Sequence, residues 1–270
     1  MRALQLNAEA ERKRIVEFIR EQVHGARYER AVVGLSGGVD SSLAAALCAE
    51  ALGAENVKGL ILPYCTSNPE SEAHARQVAC WLGIPVERFE ITAMVRPLLE
   101  ARPMMDSRRL GNVMARCRMI VLYDESVAFQ GLVVGTSNRT EWLLGYFTLG
   151  GDGLAAFEVL GHLYKCQVRQ LAAHVGVPEE IIFKAPSADL WKGQTDEGEL
   201  GFTYNQADQV LYLLTERGLA PEEIPARLAA EGGESVTLDL VEAIRRRMLL
   251  TAFKRRLPPF LSTEGRRALL

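Results

Sequence analysis

The strongest constraint on this chain is an alternation in its first half. Short apolar runs take turns with helical patterns. AVVGL (31–35), VKGLILPY (57–64), VERFEI (86–91) and GLVVGT (131–136) have the length and β-branched content of strands. Between them lie helical periodicities at 41–52, 70–82 and 116–129. Such alternation buries both faces of one sheet, so it predicts an α/β fold: a doubly wound parallel sheet with helices on both faces. Gly83 and Pro85 in LGIPVERF mark the end of one helix. An amphipathic helix over 7–23 precedes the first strand, with Asn7 as N-cap and Ile15, Phe18, Ile19 and Val23 on one face.

After GYFTLGGDG the pattern changes to helices at 163–176, 204–217, 221–232 and 238–253, which predicts a helical C-terminal part. Two aperiodic stretches, 102–112 and 184–201, read as loops that close over a ligand. Neither a linker nor an internal repeat divides the chain, so one domain over 1–270 is expected.

Composition narrows the function classes. With 31 Lys plus Arg against 34 Asp plus Glu, the net charge is −3, and no cationic field favours nucleic acid or an anionic membrane. A small-molecule substrate is the expectation. The five cysteines form no C-x-x-C pair, which argues against a zinc site or a disulfide framework. The N-terminal stretch is charged and no run of about 18 apolar residues occurs. A cytoplasmic protein with reduced thiols, binding neither nucleic acid nor membrane, is predicted.

The first apolar run leads directly into LSGGVDSS (35–42). At a strand-to-helix junction of a doubly wound sheet, the helix presents unpaired N–H groups and a partial positive charge. Two glycines let the backbone approach an anion without a Cβ in the way. Ser36, Ser41 and Ser42 add hydroxyls, and Asp40, which cannot bind phosphate itself, is a candidate ligand for a divalent metal that does. The spacing and lysine of a Walker P-loop are missing, and so is a dinucleotide-binding G-x-G-x-x-G. The bland reading is a Gly-Ser turn that merely caps a helix.

SGGVDSS resembles the pyrophosphate loop of the ATP pyrophosphatase superfamily, with its adenine nucleotide α-hydrolase-like fold. GNVMARCRM (111–119), GTSNRTEWLLGYFTLGGDG (135–153), LYKCQVRQLA (163–172) and PSADLWKGQTDEGELGFTY (186–204) are similar, in register over about 40–255, to the ammonia-dependent NAD synthetases. That resemblance implies an AMP-forming carbon–nitrogen ligase. It would adenylate the nicotinate carboxylate of deamido-NAD with ATP and Mg²⁺, release pyrophosphate, and let ammonia displace AMP. It implies a pyrophosphate loop of Ser36, Gly37, Gly38, Val39, Asp40, Ser41 and Ser42. It further implies Asp40 and Glu141 as metal ligands, Thr136, Lys165 and Ser187 as ATP contacts, Arg116 and Lys254 as substrate contacts, and a homodimer. Asp40 and Lys165 would be the catalytic pair. The bland alternatives are a solvated helix face for Arg116, a helix-start ion pair for Glu141 with Arg139, and a surface lysine at 165. With Arg2 at the second position, no N-terminal cysteine nucleophile is encoded, so ammonia, free or delivered by a partner, is the expected nitrogen source.

Three positions depart from the family pattern, and all three fall on the acceptor side. Leu149 stands where a lysine is usual, Ala156 where an aspartate is, and Phe253 where a histidine precedes Lys254 and Arg255. His162 replaces an aspartate in the same region. These departures keep open a second reading, the same mechanism on another carboxylate such as nicotinate mononucleotide. A nucleotide-binding regulator without catalysis would not be expected to keep Asp40, Glu141 and Lys165. An RNA-modifying thiolase would want a cysteine pair and a basic surface.

Overall fold

β1, β2 and β4 are apolar runs bounded by a glycine or a proline. β1 (Arg30–Gly34), β2 (Val57–Ile61), β3 (Val86–Arg88), β4 (Gly131–Gly135) and β5 (Phe157–Glu158) form one sheet in the order β3-β2-β1-β4-β5. All four pairings are parallel, with Ala31 beside Val57 on one side of β1 and beside Leu132 on the other. The doubly wound prediction holds. The structure, a computed structural model, describes residues 1–187, 189, 193–257 and 259. Part of the 186–204 stretch and the end of the expected 1–270 domain therefore lie outside the described residues.

The helices are α1 (Ala8–Gly25), α2 (Val39–Leu52), α3 (Pro69–Leu82), α4 (Thr92–Ala101), α5 (Ser107–Phe129), α6 (Arg139–Leu144), α7 (Lys165–Val175), α8 (Glu179–Ile182), α9 (Asp196–Leu200), α10 (Tyr204–Thr215), α11 (Ile224–Ala230) and α12 (Leu238–Leu250). Ala31 and Val33 of β1 face a core built with α1, α2 and α7, while Val32 faces a second core built with α4 and α5. Both faces of the strand are thereby covered, which is why its sequence is continuously apolar rather than alternating. A third apolar cluster joins α6, α10, α11 and α12 and accounts for the helical second half. The Asn7 side chain accepts from Ala10 N, and Gly83 ends α3 in the left-handed region at φ 66°, as the sequence predicted.

Three expectations need correction. The 102–112 stretch is not a loop throughout: α5 begins at Ser107, because the Asp106 carboxylate accepts from Arg109 N and caps it. The 184–201 stretch likewise carries α9, started by Thr195 Oγ1 accepting from Gly198 N. The third run stops at Arg88 and is exposed along its length, as an edge strand tolerates. β5 was not anticipated, because two residues are too few to show a period.

Candidate active site

In the order β3-β2-β1-β4-β5 strands are added on one side of β1 up to β3 and on its other side from β4, so the switch point of the sheet lies at the carboxyl ends of β1 and β4. Two loops leave there, Leu35–Gly38 into α2 and Thr136–Asn138 into α6. Gly37 has φ +74°, and a Cβ on it would come within 2.2 Å of the Ser71 carbonyl oxygen. Only glycine fits between the loop and α3. Gly38 is the N-cap of α2 and offers no side chain, so the first-turn N–H groups of α2 face the cleft without an intrahelical acceptor.

The serines divide their work. Ser36 Oγ and Ser41 Oγ are 3.0 Å apart, and Ser41 Oγ also accepts from Ser36 N at 3.2 Å. Ser42 Oγ donates to Gly38 O at 2.8 Å and is buried, tying the loop to the first turn of α2. Ser36, Gly37, Gly38, Val39, Asp40 and Ser41 line the cleft.

Lys165, the first residue of α7, is the centre of the site. Its Nζ donates to Asp40 Oδ2 at 2.5 Å and to Glu141 Oε1 at 3.2 Å, and its side chain is 4% exposed. The surface-lysine alternative is therefore excluded. Burial opposes its charge, but Asp40 and Glu141 outweigh burial and hold the ammonium above its ordinary range. Glu141 is raised, by burial first, against the pull of Lys165, with Asp40 and Asp196 adding to the rise. Glu141 Oε2 accepts from Asn138 N while Asn138 Oδ1 accepts from Glu141 N, a capping box that fixes the start of α6.

Sequence reasoning missed the groups around this pair. Asn138, fully buried, donates through Nδ2 to Asp40 Oδ1 at 2.9 Å. Tyr204 OH donates to Asp196 Oδ2 at 3.0 Å and lies 3.3 Å from Glu141 Oε1, with Lys165 Nζ 4.9 Å from the ring centroid. Tyr146 OH reaches Asp196 and Glu199. The N-x-x-E spacing of Asn138 and Glu141 was a legible signal. Tyr146, Asp196 and Tyr204 fall inside the stretches 135–153 and 186–204, but nothing in their spacing marked them as site residues.

The loops open into a continuous cleft of about 1500 Å³. Thr136, at the end of β4, and Ser187, whose Oγ donates to Gln194 O at 2.7 Å, line the same cleft as Lys165. Its far part holds Arg116, Leu149, Asp152, Phe253 and Lys254. Arg116 donates through Nε and Nη2 to Leu149 O, and Lys254 Nζ donates to Gly145 O and Phe147 O at 2.8 and 2.7 Å. Arg118 lines the cleft with its Nε donating to Leu62 O at 2.9 Å. Leu149 and Phe253 are 48% and 63% exposed, and Ala156 is exposed. His162 is remote from this cluster and pairs with Glu11 on α1.

A phosphate-sized loop, a buried Lys–carboxylate cluster at the switch point and a long cleft beyond it are what a nucleotide-activating enzyme of this fold requires. A family model described as NAD synthase matches residues 11–258. The chain belongs to the NAD synthase family. An NH(3)-dependent NAD(+) synthetase of Trichlorobacter lovleyi is 47% identical over 266 residues, 98% of this chain and 95% of that relative. One from Fusobacterium nucleatum is 45% identical, with 96% and 97% covered. Among solved structures, an NMN synthetase from Francisella tularensis superposes with a TM-score of 0.82 at 30% identity, covering 96% of this chain and all of that one. An NH3-dependent NAD synthetase from Campylobacter jejuni gives 0.80 at 31% identity with the same coverage. The NAD synthase fold of this chain is thus matched over nearly its whole length.

Proposed function

We propose that this chain is an ATP-dependent, ammonia-using ligase that converts the nicotinate carboxylate of deamido-NAD to the carboxamide of NAD. The observation that carries the reading is Lys165 Nζ standing between Asp40 and Glu141 at the mouth of the glycine loop. In the first step a carboxylate oxygen attacks the α-phosphorus of ATP, and the bond to the β-phosphate breaks. Negative charge then grows on the leaving pyrophosphate. The α2 N–H groups, Ser36, Thr136 and Lys165 are placed to receive it before it forms, the condition under which fixed dipoles lower a barrier. In the second step ammonia attacks the carbonyl carbon of the acyl adenylate and AMP leaves. Ammonium must first lose a proton, and carboxylates such as Asp196 lie beside the cluster.

The donor set fits Mg²⁺. Among the described residues no group of three His, Cys, Asp or Glu side chains is arranged to hold a metal alone. Mg²⁺ is ordinarily bound by one or two carboxylates together with substrate phosphates, and Asp40 and Glu141 would be those carboxylates. Bound there, it would neutralise charge on the phosphates. We further propose a homodimer, supported by apolar side chains on the outer face of α5, Ile120 and Val127, which are 53% and 78% exposed. A cytoplasmic location is supported by five free cysteines, none paired.

A second acceptor, nicotinate mononucleotide, is favoured by the far part of the cleft. There Leu149 and Phe253 offer no charge, and Arg116 and Lys254 are engaged with backbone carbonyls. The structural relative described as an NMN synthetase points the same way. Purified protein with ATP, Mg²⁺ and ammonium is run with each acceptor, and pyrophosphate and product mass are read. A higher kcat/KM on deamido-NAD, with one AMP per NAD, supports the first reading; preference for the mononucleotide overturns it in favour of the second.

A further inference from the structure

Lys165 owes its place to residues that do not touch the cleft. α7 begins at Lys165 with Tyr164 at the N-cap, and Tyr164 makes no side-chain capping bond. Gln167 Oε1 accepts from Tyr164 N at 3.0 Å, which still leaves the first N–H groups of α7 itself to find partners elsewhere. Here they find them on two other helices. Lys165 N donates to Thr140 Oγ1 at 3.1 Å, Thr140 Oγ1 donates to Asp208 Oδ1 at 2.5 Å, and Cys166 N donates to Asp208 Oδ2 at 2.7 Å. Asp208 and Thr140 are both 0% exposed. A carboxylate buried this completely is costly unless every oxygen is served, and Asp208 is served by one hydroxyl and the positive end of a helix of 11 residues.

The connectivity is specific. Thr140 lies beside Glu141 on α6, Lys165 begins α7, and Asp208 lies one turn from Tyr204 on α10, whose hydroxyl reaches Glu141. One buried carboxylate thus fixes the starts of both helices that carry the Lys165–Glu141 pair. We propose that Asp208, acting through Thr140, is a positioning residue for the ligase reaction, holding the first turn of α7 so that Lys165 Nζ stands between Asp40 and Glu141.

The kinetic arm of the test rests on the proposed ligase activity. Thr140→Val is isosteric and removes only the hydroxyl, while Thr140→Ser keeps it; Asp208→Asn is made alongside. If the chain positions Lys165, Thr140→Val lowers kcat by about 10- to 100-fold with KM for ATP within about 3-fold of wild type, because displacement by about 1 Å is costly in the transition state. Thr140→Ser restores kcat to within about 3-fold. A kcat of Thr140→Val within 3-fold of wild type, or an equal loss in Val and Ser variants, overturns the proposal whatever the melting temperature does. Crystal structures of wild type and the two Thr140 variants decide the matter without any acceptor. Lys165 Nζ displaced from Asp40 in Val and restored in Ser supports positioning; Nζ unmoved in Val refutes it. Should wild type turn over neither acceptor, the ligase reading fails and these structures still decide the inference. If Asp208→Asn does not fold, the Thr140 pair carries the result.

Discussion

Lys165→Met removes one ammonium and leaves two carboxylates facing each other. In the native protein the Lys165 side chain is 4% exposed and those of Asp40 and Glu141 are 17% and 16% exposed. Breaking a buried ion pair from one side costs about 3–5 kcal/mol, and the partial access of both carboxylates to the cleft places this case near 3 kcal/mol. For a chain of 270 residues that is a fall in melting temperature of about 5 °C. The loss also depends on pH. Burial, Asp40 and Asp196 already raise Glu141, and without Lys165 it rises further. A carboxyl whose folded pKa lies above its unfolded value binds more protons when folded, so its contribution is present at low pH and lost as pH rises through the folded pKa. The deficit of the variant is therefore smallest near about pH 5 and largest near about pH 8. Thermal unfolding of both proteins, without nucleotide, across that range measures it. In parallel, pyrophosphate release falls by about 10²- to 10³-fold, the usual loss for one fixed transition-state donor. Equal deficits at both ends of the pH range would refute the charge argument, and pyrophosphate release within 10-fold of wild type would refute the assigned role.

Three further outcomes follow from the same geometry. Gly37→Ala puts a Cβ 2.2 Å from Ser71 O in a left-handed backbone, so ATP affinity drops at least about 10-fold by titration calorimetry, where an unchanged affinity would show that the loop yields. Glu158, whose Oε2 accepts from Ser137 N, is pushed up to about 8 by burial, with Glu141 and Asp152 adding. Its stabilising contribution is present below about 4.5 and lost as pH rises through about 8, so Glu158→Gln flattens the decline of melting temperature between about pH 5 and 8; parallel curves would contradict it. Leu149→Lys with Ala156→Asp and Phe253→His leaves ATP affinity within about 2-fold and raises kcat/KM for deamido-NAD over the mononucleotide by about 10-fold or more; no change in that ratio would make the three positions neutral.

The parallel sheet was readable because a buried parallel strand is continuously apolar and the helix after it is periodic over three or four turns; its strand order was not. Where those conditions lapse, the reading failed. α5 opens with SRRLGN, whose single apolar residue, Leu110, shows no period by itself, and its start is decided by one Asp106 cap that resembles ordinary loop polarity. β5 is held by two residues of pairing to β4, a length at which sequence carries no period.

The site divides along the same line. Contiguous motifs gave Ser36 to Ser42, Glu141 and Lys165, because a phosphate loop needs residues at fixed short spacing; the N-x-x-E capping box that adds Asn138 was legible but not read. Asp196, Tyr204 and Asp208 belong to the helical second half and reach the cluster only through tertiary packing, and Tyr146, just after α6, joins them through Asp196. Their role follows from a physical need rather than a pattern: three carboxylates and one lysine placed together with little water must be held by donors from every side, or the cluster repels itself apart. The glycine loop and β4 turn supply two of those sides. The third has to come from whatever packs over the carboxyl ends of the strands, and α10 fills that position with Tyr204 and Asp208 one turn apart. A chain that kept SGGVDSS and lost α10 would therefore be expected to keep the phosphate cradle while Lys165 lost the support that aims it.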